Sequence, residues 1–236
     1  MAVNPLLRGA HPTQAERVDV PVGDAVLDVL IVEPEADGPW STILLVHENQ
    51  GMDRYMVDVA EGLADEGYRV VAPDLLSRVG GTAAHADDPT STTRQIETAT
   101  HVSDLVAVYD WIAAEAAPFA VVGFCFGGEV GWQLITKRSP LGAVLFYGIG
   151  PDPEATAHIH GAVYAVYAQH DPRVNDTLPE LIDPLVKTDV DFILESYPGT
   201  NHAFHDHSRP ERYHEEAASA VWGRTLTFLD DLMAAE

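Results

Sequence analysis

Apolar and polar residues alternate along residues 16–32 on both sides of Val22-Gly23-Asp24, which predicts two strands of an antiparallel hairpin. The period then changes. Thr42–Val46 is a continuous apolar run, too short for a helix and suited to a strand covered on both faces. Between residues 55 and 66, Met56, Val59, Ala60 and Leu63 recur at helical spacing, and Gly67 stands where a helix C-cap belongs. Residues 69–72 predict a short strand stopped by Pro73-Asp74, residues 96–114 a helix, and Phe119–Phe124 a buried strand that runs through glycines into another helix. Further strands are expected at 142–147, 162–168 and 190–197, and helices at 178–186 and 212–233. Residues 77–94 are polar, glycine-containing and aperiodic, and a loop of that length in a folded domain reads as a lid or pocket rim. Strands alternating with helices predict an α/β protein: a mostly parallel central sheet with helices on both faces and the hairpin as an antiparallel N-terminal edge. In such sheets the chemistry gathers in loops at the carboxyl ends of strands.

Composition narrows the function classes more than the fold. The 236 residues show no linker, low-complexity run or repeat, so one domain over residues 1–236 is expected, with 46% apolar residues to fill its core. Neither a signal h-region in the first 17 residues nor an apolar run of membrane-spanning length is present in the sequence, and a cytoplasmic protein without membrane partners is the expectation. With 37 acidic residues against 13 basic and a formal net charge of −24, there is no basic patch to neutralise phosphates, and a nucleic-acid partner is not expected. The acidic residues are spread along the chain, a pattern that suits a salt-adapted host. One cysteine excludes an internal disulfide.

That cysteine stands in Gly123-Phe124-Cys125-Phe126-Gly127, between a predicted strand and a predicted helix. Glycines two before and two after a central residue let the backbone turn sharply, so that a nucleophile projects from the turn and the next N–H faces the developing oxyanion. A lone cysteine at a strand end can equally be a small buried hydrophobe. Two later post-strand loops decide between these readings. Asp171 follows the strand at 162–168, and His202 follows the strand at 190–197. Asp171 alone would pass for a turn residue and His202 for a loop histidine, but nucleophile, then acid, then histidine is the chain order of the α/β-hydrolase triad. In that arrangement His202 exchanges the Cys125 proton, and Asp171 fixes its tautomer and stabilises the imidazolium. The expected catalytic group is therefore Cys125, Asp171 and His202.

The sequence resembles the dienelactone hydrolase family of α/β-hydrolases over nearly its whole length. The resemblance is carried by Val-His-Glu-Asn-Gln-Gly at 46–51, Gly-Tyr-Arg-Val-Val-Ala-Pro-Asp-Leu at 67–75, Gly-Phe-Cys-Phe-Gly-Gly at 123–128 and Tyr-Pro-Gly-Thr-Asn-His-Ala-Phe at 197–204. It implies a cofactor-independent hydrolase of a lactone or small carboxylic ester acting through a thioester, with a small-molecule substrate and a monomer or small homo-oligomer. It also implies that Glu48 helps to form the thiolate and that the N–H groups of Asn49 and Phe126 make the oxyanion hole. The family grips a substrate carboxylate with arginines. Arg94 is the first candidate here and Arg78 the second, while the position four beyond the histidine, where another cation is expected, is Asp206. Either Arg209 or a histidine then takes over, or the substrate carries no carboxylate. Phe204, with Phe124, Phe126, Trp132 and Tyr147, is expected to line an apolar pocket.

Other readings stay open from the sequence. His202, His205, His207 and His214 lie close together in sequence, but they lack the spacing and support of a zinc site, so no metal is expected. A general esterase or acyltransferase would use the same residues. A non-catalytic hydrolase-fold binder or a thiol redox sensor would use Cys125 differently.

Overall fold

A computed structural model describes residues 6–9, 11–115 and 119–235. The chain forms two units, Met1–Phe119 and Ala120–Glu236. In the first, β1 (Thr13–Val22) and β2 (Ala25–Pro34) pair antiparallel with Val22 opposite Ala25, so the predicted hairpin turns on Gly23-Asp24. β2 also pairs antiparallel with β4 (Arg69–Pro73), which pairs parallel with β3 (Thr42–Val46), in the order β1-β2-β4-β3. All five residues of β3 are buried, as its unbroken apolar run requires. Helix α1 (Arg54–Asp65) begins where the Asp53 carboxylate accepts the Met56 N–H at 3.0 Å. It buries Tyr55, Met56, Val59, Ala60 and Leu63 along one stripe, each large apolar side chain contributing roughly 1.5–3 kcal/mol.

The stretch at 77–94 is more regular than its aperiodic sequence predicts. Two 3₁₀ turns, Ser77–Val79 and Thr82–His85, precede helix α2 (Pro89–Gln95), and α3 (Thr98–Ala113) follows after an extended Ile96. Asp88 caps α2 by accepting the Ser91 N–H, and Pro89 opens it. These signals are local side-chain bonds, to which an apolar periodicity is blind.

In the second unit β5 (Phe119–Phe124), β6 (Gly142–Phe146), β7 (Ala162–His170) and β8 (Phe192–Asn201) lie in sequence order and are all parallel. Helix α4 (Phe126–Ile135) follows β5 with one intervening residue. Two four-residue helices, α5 (Pro153–Thr156) and α6 (Pro172–Asn175), were not signalled by periodicity. Helix α7 (Leu178–Leu185) follows, and α8 (Glu215–Ala234) closes the chain, starting three residues later than expected because His214 caps it through the Ala217 N–H. No helix among the described residues is long and apolar enough to cross a membrane.

Candidate active site

Every residue of β5 is buried, and the strand ends on Phe124. The next residue, Cys125, takes φ 54° and ψ −110°, a conformation that a side-chain-bearing residue adopts only when its surroundings impose it. Those surroundings are glycine backbone. A Cβ on Gly123 would lie 2.2 Å from the Gly127 carbonyl oxygen, and one on Gly128 would lie 2.6 Å from the Phe146 carbonyl oxygen. The Cys125 N–H donates to that same Phe146 oxygen at 2.9 Å, which ties the turn to the end of β6. Half-buried Cys125 thus stands at the mouth of a sharp strand-to-helix turn, with Phe126 as the first residue of α4. Helix N-termini direct N–H groups and a partial positive charge outward, which suits an anion formed beside them.

Two other post-strand segments of this unit meet the thiol. Asp171 directly follows β7 and stands at the N-cap of α6, but its carboxylate is turned away from the helix to His202, whose Nδ1 lies 2.5 Å from Oδ2. His202 directly follows β8, and its Nε2 lies 3.0 Å from the Cys125 sulfur. With Nδ1 donating to the carboxylate, neutral Nε2 is the acceptor toward the thiol, and the imidazolium is the donor toward a thiolate. The arrangement can pass one proton between sulfur and imidazole while the carboxylate holds the tautomer.

The remaining histidines of the run disperse. His205 is buried among Phe124, Phe146 and Trp222, with ring centroids 5.5–5.6 Å away, and burial lowers its pKa to about 3, so it is neutral. His214 is the cap of α8. Among the described residues no group of three or more His, Cys, Asp or Glu is arranged to hold a metal ion. Glu129, one helical turn past Cys125, was not singled out by the sequence. It is half-buried, and its carboxyl is pushed up by burial against the opposing charge of Arg173.

In the first unit, the turn after β3 carries Glu48 and Asn49. Glu48 is wholly buried. Its carbonyl oxygen accepts the Gly51 N–H at 3.0 Å and lies 2.6 Å from Nδ1 of buried His47. The Leu75 N–H donates to the other nitrogen of that ring, Nε2, at 3.0 Å, so the proton of neutral His47 sits on Nδ1 and is donated to Glu48 O. Burial keeps this imidazole neutral by lowering its pKa, with the Asp74 charge opposing. The Thr93 hydroxyl reaches Asn49 O at 3.1 Å, and Thr82 Oγ1 accepts the Met52 N–H at 2.9 Å while donating to Asp74 at 2.9 Å. Gln50 donates to Thr90. His47 thus orients the Glu48–Asn49 peptide, and no periodicity signals that.

The cations expected to grip a carboxylate differ in availability. Arg78 donates to both oxygens of buried Asp104 at 2.7 and 2.8 Å and to Asp24 at 2.8 Å, so its guanidinium is occupied in holding α3 and the β1-β2 turn together. Arg94 is exposed on the last turn of α2. In the second unit, wholly buried Asp206 is ion-paired with Arg209, Nε lying 2.9 Å from Oδ2, and its Oδ1 accepts from Ser208 N–H and Oγ–H at 2.9 and 2.6 Å. Phe204 is wholly buried, its ring packed on Tyr197 at 5.4 Å and Tyr147 at 5.9 Å and not turned to solvent.

Comparison with known proteins gives a consistent answer. A family model described as the dienelactone hydrolase family matches residues 27–233. A candidate carboxymethylenebutenolidase of Saccharolobus solfataricus is 28% identical, over 87% of this chain and 94% of its own. Another from Methylorubrum extorquens is 28% identical, over 89% and 78%. The crystal structure of a candidate dienelactone hydrolase from Klebsiella pneumoniae superposes with a TM-score of 0.80 at 26% identity, covering 92% of this chain and 98% of that one. The eight-stranded, mostly parallel arrangement with interspersed helices is the α/β-hydrolase fold.

Proposed function

The chain belongs to the dienelactone hydrolase family, a family of hydrolases, and from that premise we propose that it cleaves a lactone or small carboxylic ester with Cys125 as nucleophile. The observation that carries the reading is the line Asp171–His202–Cys125, with 2.5 Å and 3.0 Å between partners. In the first half-reaction the thiol proton passes to His202 Nε2, sulfur bonds to the carbonyl carbon, and the carbonyl electrons move to oxygen. The Phe126 N–H at the start of α4 stabilises that oxyanion, and the resemblance adds the Asn49 N–H as a second donor. Collapse of the tetrahedral adduct breaks the carbon–oxygen bond, and His202 returns the proton to the leaving oxygen. The acyl group is then a thioester on Cys125. Water, deprotonated by His202, adds to it, and the departing sulfur recovers a proton from the imidazolium as the acid is released. Glu48, by the same resemblance, promotes the thiolate in the first step.

The substrate class follows from the charges. Asp206 occupies the place of an expected cation, and its own pairing with Arg209 commits that arginine, while Arg78 is committed to Asp104. Arg94 then stands where the family places more than one arginine, and with the second position acidic an uncharged ester or lactone is favoured over a carboxylated one.

The test is Cys125→Ala. Loss of a nucleophile lowers kcat by about 10³-fold or more, so the variant should hydrolyse neither p-nitrophenyl acetate nor saturated lactones while keeping its circular dichroism spectrum. The wild type should release a burst of one nitrophenol per thiol. Full turnover in the alanine variant overturns the mechanism. A dienelactone turned over much faster than the neutral esters overturns the substrate class.

A further inference from the structure

Among the described residues, three that are not glycine take positive φ: Cys125 at 54°, Tyr147 at 39° and Ala203 at 64°. Backbone strain of this kind persists only where the surrounding structure imposes it, and it collects at functional sites. The three residues follow different strands, yet all border the same imidazole. Cys125 faces His202 Nε2, Ala203 is the residue after His202, and the Tyr147 ring lies 4.9 Å from the His202 ring, inclined by 56°. The first strain is that of the nucleophile turn, and the second redirects the chain beside the base. Tyr147 has no place in the triad.

We infer that Tyr147 is a positioning residue for His202, its ring holding the imidazole against Cys125 and favouring the imidazolium formed when the thiol gives up its proton. This rests on the triad reading. The Tyr147 backbone is anchored by its N–H to Val166 O at 2.6 Å, and the preceding carbonyl, Phe146 O, takes the Cys125 N–H at 2.9 Å. The end of β6 and the residue after it therefore fix both the nucleophile turn and the wall behind the base. The ring is 1% exposed and backed by Phe146 and Phe204, each at 5.9 Å, so it has little room to tilt. An aromatic ring within about 6 Å of a cation attracts it, and a ring that cannot move is already in place when the charge forms.

The experiment compares Tyr147→Phe, Tyr147→Leu and Tyr147→Met by two readouts, each taken below the melting midpoint of every variant. One is the rate of Cys125 alkylation by iodoacetamide at neutral pH, which follows thiolate formation and needs no ester. The other is kcat and KM on p-nitrophenyl acetate. Tyr147→Phe keeps the ring and should stay within about twofold of wild type in both. Tyr147→Leu should lose about tenfold in alkylation rate and in kcat together, with KM within about twofold, since the loss lies in the reactive form of the thiol. Methionine fills irregular space without a ring, so Tyr147→Met should fold if leucine does not, and should show the same loss. Wild-type alkylation and kcat in a folded ringless variant overturn the inference, as does a phenylalanine variant no better than leucine. If the wild type alkylates quickly but hydrolyses no ester, the proposed function fails, and the alkylation series still decides the role of Tyr147.

Discussion

After β5 the chain turns on backbone packed against backbone. Gly123 lies under the Gly127 carbonyl and Gly128 against Phe146, and a single Cβ at either site would intrude to 2.2 or 2.6 Å. After β3, the turn from His47 to Met52 has one backbone bond of its own, from the Gly51 N–H to Glu48 O, and is otherwise held by side chains: the His47 imidazole on Glu48 O, the Thr93 hydroxyl on Asn49 O, and Thr82 on the Met52 N–H. Both turns present groups to which the proposed mechanism gives work, Cys125 and Phe126 in one case, Glu48 and Asn49 in the other. They should fail differently. A turn made of close backbone contacts tolerates no added atom, whereas a turn strapped by separate hydrogen bonds should weaken one strap at a time.

The largest effect is therefore expected at Gly123→Ala. Gly123 does not have positive φ, so its replacement isolates the close approach from any backbone preference. Overpacking a site with no room costs about 1–3 kcal/mol or more, and moving a nucleophile by an ångström costs about 10²-fold in rate. Differential scanning calorimetry and ester hydrolysis should show both losses together. A variant of wild-type stability and rate would mean that the turn relaxes freely, and the contrast between the two turns would disappear.

A smaller loss is expected from His47→Leu, which removes the donor to Glu48 O and leaves the Leu75 N–H without its nitrogen. A trans peptide is planar, so the Glu48 carbonyl direction fixes the Asn49 N–H pointing the opposite way. Deleting an oxyanion donor outright costs about 10²–10³-fold. Misaiming one should cost about tenfold to a hundredfold in kcat with KM little changed. His47→Asn places an amide N–H near the position of Nδ1 and should recover most of the rate. Equal defects in the asparagine and leucine variants would show that the ring acts only by filling space.

The difference between the turns also explains what was legible in the sequence. Glycine at close approach is written into the chain, so the sharp turn at Cys125, its strand and its helix could be read from Gly123 to Gly128, and the order of Cys125, Asp171 and His202 could be read with them. The straps of the other turn come from distant segments. Thr82 and Thr93 lie within a polar stretch whose aperiodic pattern predicts only a loop, and nothing in that pattern shows that their hydroxyls meet residues 30 and 44 positions earlier. Tyr147 was legible as an aromatic at a strand end, but its positive φ and its place against His202 depend on the tertiary packing of β6 and β8. Arg78 and Arg94 illustrate the same limit. Both are arginines in the same polar stretch, and only the position of Asp104 on α3 separates the one that ties the fold from the one that is exposed.

The smallest effect should come from Thr93→Val, and the reason lies in the hydroxyl itself. It has one proton and two carbonyls in reach, Asn49 O at 3.1 Å and Pro89 O at 3.0 Å. Pro89 opens α2, and its carbonyl is the helical acceptor for the Thr93 backbone N–H, so it is satisfied without the side chain. The proton matters at Asn49, where it restrains the peptide that follows the proposed oxyanion donor. Valine keeps the branched shape and the helix but cannot donate, at a cost of about 1 kcal/mol for a hydrogen bond lost, or roughly fivefold in kcat if all of it is felt in the transition state. Thr93→Ser keeps the hydroxyl and should keep the rate. Were valine to cost as much as His47→Leu, the straps would act as one cooperative unit, and the turn after β3 would resemble the glycine turn after β5 in being held all at once.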